Sequence, residues 1–233
     1  IRKSCSTFEF HSLFLELHNF CTVDLSAFYF DIRKDTLYCD RLDSLTRRAT
    51  RTVLDHLFNS LTAWFAPFIA FTAEEAWLAR YPDVNGSIHL NLFPDIPGDW
   101  NNDKLASKWQ KIRELRRVVT GALEVERSEK RIGSSLESSP VIYASPDYIE
   151  AVSGLDLAEI VITSGASIQN TTIPDVAFKL EDVPGVGVLP EMAKGAKCLR
   201  CYKITPEVGN TSDQDGVCKR CSDAAEFFRN KEL

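Results

Sequence analysis

Cys198, Cys201, Cys218 and Cys221 form two C-x-x-C turns separated by sixteen residues. A chain that must close four thiols on one point has little conformational freedom left around them. Each turn aims two sulfurs at a common centre, and the intervening loop brings the pairs together around a tetrahedral ion at about 2.3 Å. The spacing predicts one structural zinc ion per chain. Four thiolates fill the coordination shell, so the metal is expected to hold the fold and leave no position for a reacting water. Iron fits the same four sulfurs, and a thiol redox pair would need only one of the turns. A disulfide framework is disfavoured, because seven cysteines is an odd number and no signal-peptide pattern follows Ile1. Cys5, Cys21 and Cys39 read as small buried hydrophobes in a reducing compartment.

Upstream of the cysteines the apolar spacing is mostly helical. Phe10, Leu13, Phe14, Leu17, Phe20 and Cys21 recur at three and four positions, which predicts a helix from Phe8. Leu25, Phe28, Tyr29 and Ile32 continue as a second helix or a bent continuation, with Arg33 and Lys34 near its C-terminal end. The stretch from Ser44 to Ala66 predicts a long helix of about 35 Å with Leu45, Ala49, Val53, Leu57 and Leu61 inward, ended or kinked by Pro67. Thr72 and Glu75 are spaced as a capping box for another helix that Pro82 stops near Tyr81. Residues 82–102 read as a surface connection with a short extended piece at Ser87 to Leu90. A helix resumes at Asp103 and runs to about Lys130, with Leu105, Trp109, Ile112, Leu115, Val119 and Leu123 on one face.

The pattern then changes. Val141 to Ala144 and Ile160 to Thr163 are short β-branched runs and predict strands, with short helix between Asp147 and Leu157. Ala177 to Leu180 and Val186 to Leu189 are further strand candidates. The tail from Glu191 is too small and loop-rich to bury its own core, which is why it would need the metal. The expected fold is mainly α: a helical bundle over residues 1–102, a helix plus small α/β domain over 103–190, and a four-cysteine zinc ribbon or knuckle over 191–233.

Chemical signatures of catalysis are missing. There is no Gly-rich phosphate loop, H-E-x-x-H or G-x-S-x-G, and the four histidines stand apart at positions 11, 18, 56 and 89. The 233 residues are expected to be non-catalytic. A formal charge of −6 argues against indiscriminate nucleic-acid binding and leaves room for a local basic face. No uncharged apolar run approaches the roughly 18 residues of a membrane span.

Four stretches carry a resemblance: Asn19 to Cys39 (N-F-C-T-V-D-L-S-A-F-Y-F-D-I-R-K-D-T-L-Y-C), Arg47 to Leu54 (R-R-A-T-R-T-V-L), Ala66 to Trp77 (A-P-F-I-A-F-T-A-E-E-A-W) and Lys130 to Glu137 (K-R-I-G-S-S-L-E). In this order they resemble the anticodon-binding helical domain of the bacterial-type isoleucyl-tRNA synthetases, class I aminoacyl-tRNA synthetases. The Pro-x-x-x-x-Thr-x-Glu-Glu stretch is shared with valyl enzymes, and the terminal cysteine pairs select the isoleucyl family. Tyr202 stands where that family often has Trp.

The resemblance implies a C-terminal piece of a longer, monomeric, cytoplasmic or organellar enzyme that activates isoleucine with ATP and magnesium and transfers it to its tRNA. The His-Ile-Gly-His and Lys-Met-Ser-Lys-Ser signatures of that chemistry are absent from these residues. What the piece would do is hold the anticodon arm of isoleucine tRNA, with no DNA and no membrane as partner. Arg47, Arg48 and Arg51 on the long helix, and Lys197, Arg200, Lys219 and Arg220 beside the cysteines, are the expected RNA contacts. The alternative is a zinc-stabilised structural or protein-interaction module with no RNA readout, for which the acidic balance speaks.

Overall fold

A computed structural model describes residues 1–83, 86–209 and 216–229 of the chain. Val84 and Asn85 of the expected surface connection, and residues 210–215 and 230–233 of the expected zinc-binding segment, lie outside the described residues. The described residues are mainly helical, at 57% helix and 8% strand. It divides into two compact units, one of residues 1–37 and 43–101 and one of residues 38–42 and 102–233. Among the described residues no helix is long and apolar enough to cross a membrane.

In the first unit, α1 (Arg2–Ser6) precedes α2 (Phe10–Asn19), which passes through wider i→i+5 turns over Phe20–Phe30 into α3 (Asp31–Cys39). The expected start at Phe8 moves to Phe10 because Phe8 sits at φ 58°, outside the helical region. The path also continues past Lys34 to Cys39. Where a second helix or a bend was expected, the turns widen, and Thr22 supplies a local cause. Its hydroxyl donates to the carbonyls of His18 (2.9 Å) and Asn19 (3.3 Å), competing with the amides that the α-helical ladder would bring there.

The long helix α4 (Leu45–Phe65) is capped by Ser44, whose hydroxyl accepts from the Arg47 amide at 3.4 Å. It ends before Pro67, as expected. Its inward face differs from the apolar stripe of the sequence: Leu45, Ala49 and Val53 are exposed, while Thr50, Ser60, Thr62 and Ala63 are buried. The two threonines tolerate burial because their hydroxyls donate to the carbonyls of Thr46 (2.8 Å) and Phe58 (2.7 Å). Small polar side chains satisfied by their own helix carry no hydrophobic signal.

The capping box at Thr72 does not form. α5 (Ala70–Arg80) starts two residues earlier with no side-chain cap, because the Phe65 carbonyl already receives the amides of Phe68 and Ile69 and has turned the chain helical again. It ends at the residue before Tyr81, in keeping with Pro82. The piece expected to be extended is a single 3₁₀ turn at Ile88–Leu90. Ile88 is buried with Ala63, Ala66 and Ala73, and Glu74 holds it there by accepting from Ser87 Oγ and the Ile88 amide, both at 2.9 Å. Glu74→Ala is therefore expected to cost about 1–3 kcal/mol, since the Ile88 amide of a buried residue loses a charged acceptor. A thermal melt unchanged by this substitution would contradict that role.

The second unit is organised by α6 (Asp103–Ser128), whose first turn is capped by the Asn102 side chain accepting from the Leu105 amide at 2.9 Å. Ile112, Leu115, Val118, Val119, Ala122 and Leu123 are buried at helical spacing. Strand β1 (Val141–Ala144) is central in a three-stranded sheet, parallel to β2 (Ser167–Gln169) and antiparallel to β3 (Val186–Leu189). Two short helices, α7 (Pro146–Val152) and α8 (Leu157–Val161), make the crossover that a parallel pair requires. Ile142 and Val188, paired across the sheet, join the α6 face in one core.

The strand expected at Ile160 to Thr163 is overturned. The Asp156 carboxylate accepts from the Glu159 amide at 3.1 Å and starts α8, which buries Leu157, Ile160 and Val161 at i, i+3 and i+4 before Ile162 stops it at φ 57°. A four-residue β-branched run is too short for periodicity to separate strand from helix. Ala177 to Leu180 supplies only one bridge, in which Phe178 and Val188 exchange both backbone hydrogen bonds at 2.9 Å. The last segment holds more structure than expected from its loops: β4 (Ala196–Lys197) pairs antiparallel with β5 (Ile204–Thr205), and α9 (Lys219–Arg229) follows.

Candidate metal centre and basic surface

The β4–β5 hairpin carries the first C-x-x-C turn at its tip. The Cys198 amide donates to the Lys203 carbonyl and the Tyr202 amide to the Cys198 carbonyl, both at 2.9 Å, with Tyr202 at φ 64°. The second pair sits at a helix start: Cys218 immediately precedes α9, and Cys221 lies in its first turn, where helix dipoles favour negative charge. Leu199 ties the two turns by donating from its amide to the Gly216 carbonyl at 2.9 Å.

All four sulfurs lie within 4.8 Å of one another and all four residues are buried. Cys201 Sγ and Cys218 Sγ are 3.8 Å apart. A regular tetrahedron with arms of about 2.3 Å has edges of about 3.8 Å, whereas a disulfide requires about 2.05 Å. The arrangement could hold a metal ion, and its donor set fits zinc.

The electrostatics agree. Burial raises the Cys218 thiol, and raises Cys221 to about 11, above the ordinary range. At Cys198 burial acts in the same sense, but backbone amides of Cys201, Cys218 and Arg200 outweigh it and hold the thiol at about 6. The Cys218 amide donates to Cys198 Sγ at 3.3 Å. Four buried thiols this close cannot all ionise against one another; a shared cation removes that repulsion.

Arg200 was expected to face RNA, but its guanidinium serves the protein. Nη1 donates to the Cys39 carbonyl (2.7 Å) and Nη2 to the Tyr38 carbonyl (3.0 Å) at the end of α3, with Cys221 Sγ 3.6 Å from Nη1. A cation on the last carbonyls of a helix is a favourable cap. Cys39, without an assigned role in the sequence, is buried against the four cysteines. Cys5 and Cys21 are only half-buried, contrary to the expectation.

The remaining basic candidates separate by environment. Arg220 pairs with Asp40 at 3.2 Å. Lys219 is exposed, and Lys197 stands with Nζ 5.5 Å from the centre of the exposed Tyr202 ring. On α4, Arg47 is half-buried, while Arg48 and Arg51 are exposed and line one depression with Arg80 of α5. Arg80 carries no signal in the sequence, because nothing in the order of residues places the end of α5 beside the middle of α4.

Residues 1–143 match the family described as the anticodon-binding domain of tRNA ligase. The isoleucine–tRNA ligase of Agrobacterium fabrum is 51% identical over 221 residues, which cover 94% of this chain and 23% of that protein. The isoleucine–tRNA ligase of Brucella abortus biovar 1 is 51% identical over 210 residues, covering 90% and 22%. That of Ruegeria pomeroyi is 50% identical over 226 residues, covering 97% and 23%. The chain thus spans less than a quarter of the length of these relatives.

Proposed function

Because the chain belongs to the anticodon-binding domain family of tRNA ligases, we propose that it recognises the anticodon arm of isoleucine tRNA. The match of residues 1–143 carries this reading, and the relatives' names supply the identity of the tRNA. The protein it serves would attach isoleucine to that tRNA, with ATP and magnesium bound by a catalytic domain outside these 233 residues. Readout of an anticodon loop uses unstacked bases, received on aromatic or guanidinium planes, with cations on the backbone. Arg47, Arg48 and Arg51 on the helical unit, and Lys197 and Lys219 beside the cysteine turns, are the contacts we assign; Arg200 is bonded to the Tyr38 and Cys39 carbonyls and Arg220 is paired with Asp40, which makes them weaker candidates.

One zinc ion held by Cys198, Cys201, Cys218 and Cys221 would fix those turns before RNA arrives, which lowers the ordering cost of binding. Four reduced cysteines suit a cytoplasmic setting.

The test is a titration of the chain, at two salt concentrations, with labelled isoleucine tRNA and with the same tRNA carrying a replaced anticodon. Salt-sensitive binding that weakens with the replaced anticodon is the expected result. Equal binding to both would remove base recognition from this chain, and no binding to either would favour a zinc-stabilised structural or protein-interaction module.

A further inference from the structure

We infer that Arg48, Arg51 and Arg80 form one binding site for the phosphodiester backbone of RNA, distinct in role from the groups that would read bases; the inference rests on the RNA recognition proposed above. Arg48 and Arg51 are three apart on α4 and so share a helix face, and Arg80 reaches them from α5. With Thr52, Leu54 and Asp55 the three guanidinium groups line a depression of ≈ 470 Å³.

Charge separates this place from the rest of the surface. The chain is acidic, at −6, and its other arginines commonly face carboxylates, as Arg117 faces Asp182 (2.6 Å) and Arg2 faces Asp95 (2.7 Å). In the depression three guanidinium groups meet one carboxylate, that of Asp55, which pairs with Arg80. Neither Arg48 nor Arg51 has an ion pair among the described residues. The depression therefore keeps an unbalanced positive charge, the local field that attracts phosphate to a protein of the wrong overall sign.

Arg80 is also held in place. Its Nε donates to Tyr81 Oη at 3.1 Å, Tyr81 Oη in turn donates to Asn59 Oδ1 at 3.1 Å, and the guanidinium lies 5.1 Å from the Phe58 ring centre and 5.4 Å from that of Tyr81. A guanidinium fixed this way forfeits little entropy on meeting an anion, and with Nε directed to Tyr81 and Nη2 to Asp55 its Nη1 is left to donate to a phosphate oxygen. Among the described residues no aromatic ring lines the depression. Guanidinium groups present paired donors that match phosphate oxygens, so the site is assigned to the backbone, and its contribution should not depend on loop sequence.

The experiment titrates the chain with an RNA hairpin of the isoleucine tRNA anticodon arm across a salt series, comparing Arg48→Gln, Arg51→Gln and Arg80→Gln with a control, Arg117→Gln. Each of the three is expected to weaken binding by about tenfold and to flatten the log–log salt slope by about 0.7–0.9, to the same extent for a hairpin with a replaced loop. The control should bind as the parent does. Parent-like affinity and slope in the three variants would overturn the site while leaving RNA recognition intact, and weakening that tracks loop sequence would overturn it in favour of base contact. A parallel titration with tripolyphosphate follows the arginine Nε–H signals by NMR. If the hairpin does not bind but tripolyphosphate shifts these three signals, the RNA partner is withdrawn and the anion site stands; if neither occurs, the site is withdrawn.

Discussion

Replacing Cys198 or Cys221 by serine, or removing the zinc ion proposed above with a chelator, is expected to unfold the described residues of 195–209 and 216–229 while the core around α6 persists. Apart from the cysteines, few apolar residues of its described part are buried: Val208 packs with the cysteines, with Val217 partly buried against them, Ala224 is buried on α9, and the hairpin pairs only Ala196 with Thr205 and Lys197 with Ile204. So small a cluster cannot balance the conformational entropy of the ordered chain, for which each residue costs about 1–2 kcal/mol in the backbone alone. Metal coordination by the four cysteines would add binding free energy that exists only when the segment is folded. The α6 core stands on different ground, with Ile112, Leu115, Val118 and Ile142 wholly buried.

Two measurements check this. Metal analysis should fall from one ion per chain to near none, and hydrogen exchange should accelerate at the amides of Cys198, Leu199 and Tyr202 while those of Val118 and Val188 stay protected. Undiminished protection at the first three amides in metal-free protein would mean that the knuckles fold without the ion.

Gly195→Ala is expected to be nearly as damaging. Gly195 sits at φ +123°, and a Cβ there would stand 2.3 Å from both the carbonyl carbon and oxygen of Thr205 and 2.6 Å from the Pro206 nitrogen. Those are backbone atoms and cannot swing aside. Relief requires the β4 and β5 strands to part, which moves Cys198 and Cys201 off the positions that meet Cys218 and Cys221. A loss of about 3 kcal/mol or more is expected, in the class of substitutions that break a special backbone position. Gly154 supplies the comparison: it has φ +76° but nothing within 4 Å of an added Cβ. Gly154→Ala should cost only the left-handed strain, about 1–2 kcal/mol. Equal melting temperatures for the two variants would show that backbone crowding at Thr205 is not the controlling term, and metal affinity should fall for Gly195→Ala alone.

Much of this architecture was readable from residue order because it rests on local periodicity and covalent punctuation. The helices at Leu45–Phe65 and Asp103–Ser128, the ends before Pro67 and Pro82, and the strands at Val141–Ala144 and Val186–Leu189 follow from spacings of three to four, from the missing proline amide, and from β-branched runs. The failures are equally specific. Ile160 and Val161 read as strand because four β-branched residues barely exceed one helical turn, too few for the helical period to show, and the cap from the Asp156 carboxylate starts a helix there. The buried face of α4 was misread because Thr50, Ser60 and Thr62 look polar in a sequence, although two of their hydroxyls are satisfied by the helix itself.

The metal site and the basic surface mark the same division. Cysteine spacing alone named the four sulfurs, since C-x-x-C constrains each pair through the geometry of one short turn. Residue order could not show that Arg200 closes on the carbonyls of Tyr38 and Cys39, more than 160 positions away, or that Arg80 joins Arg48 and Arg51. Short-range geometry is written in neighbouring residues, because torsion angles and hydrogen-bond reach act over a few positions. Which charged side chains are left to face solvent or RNA depends on long-range packing, because an arginine's role is set by the acceptors that the rest of the chain brings to it.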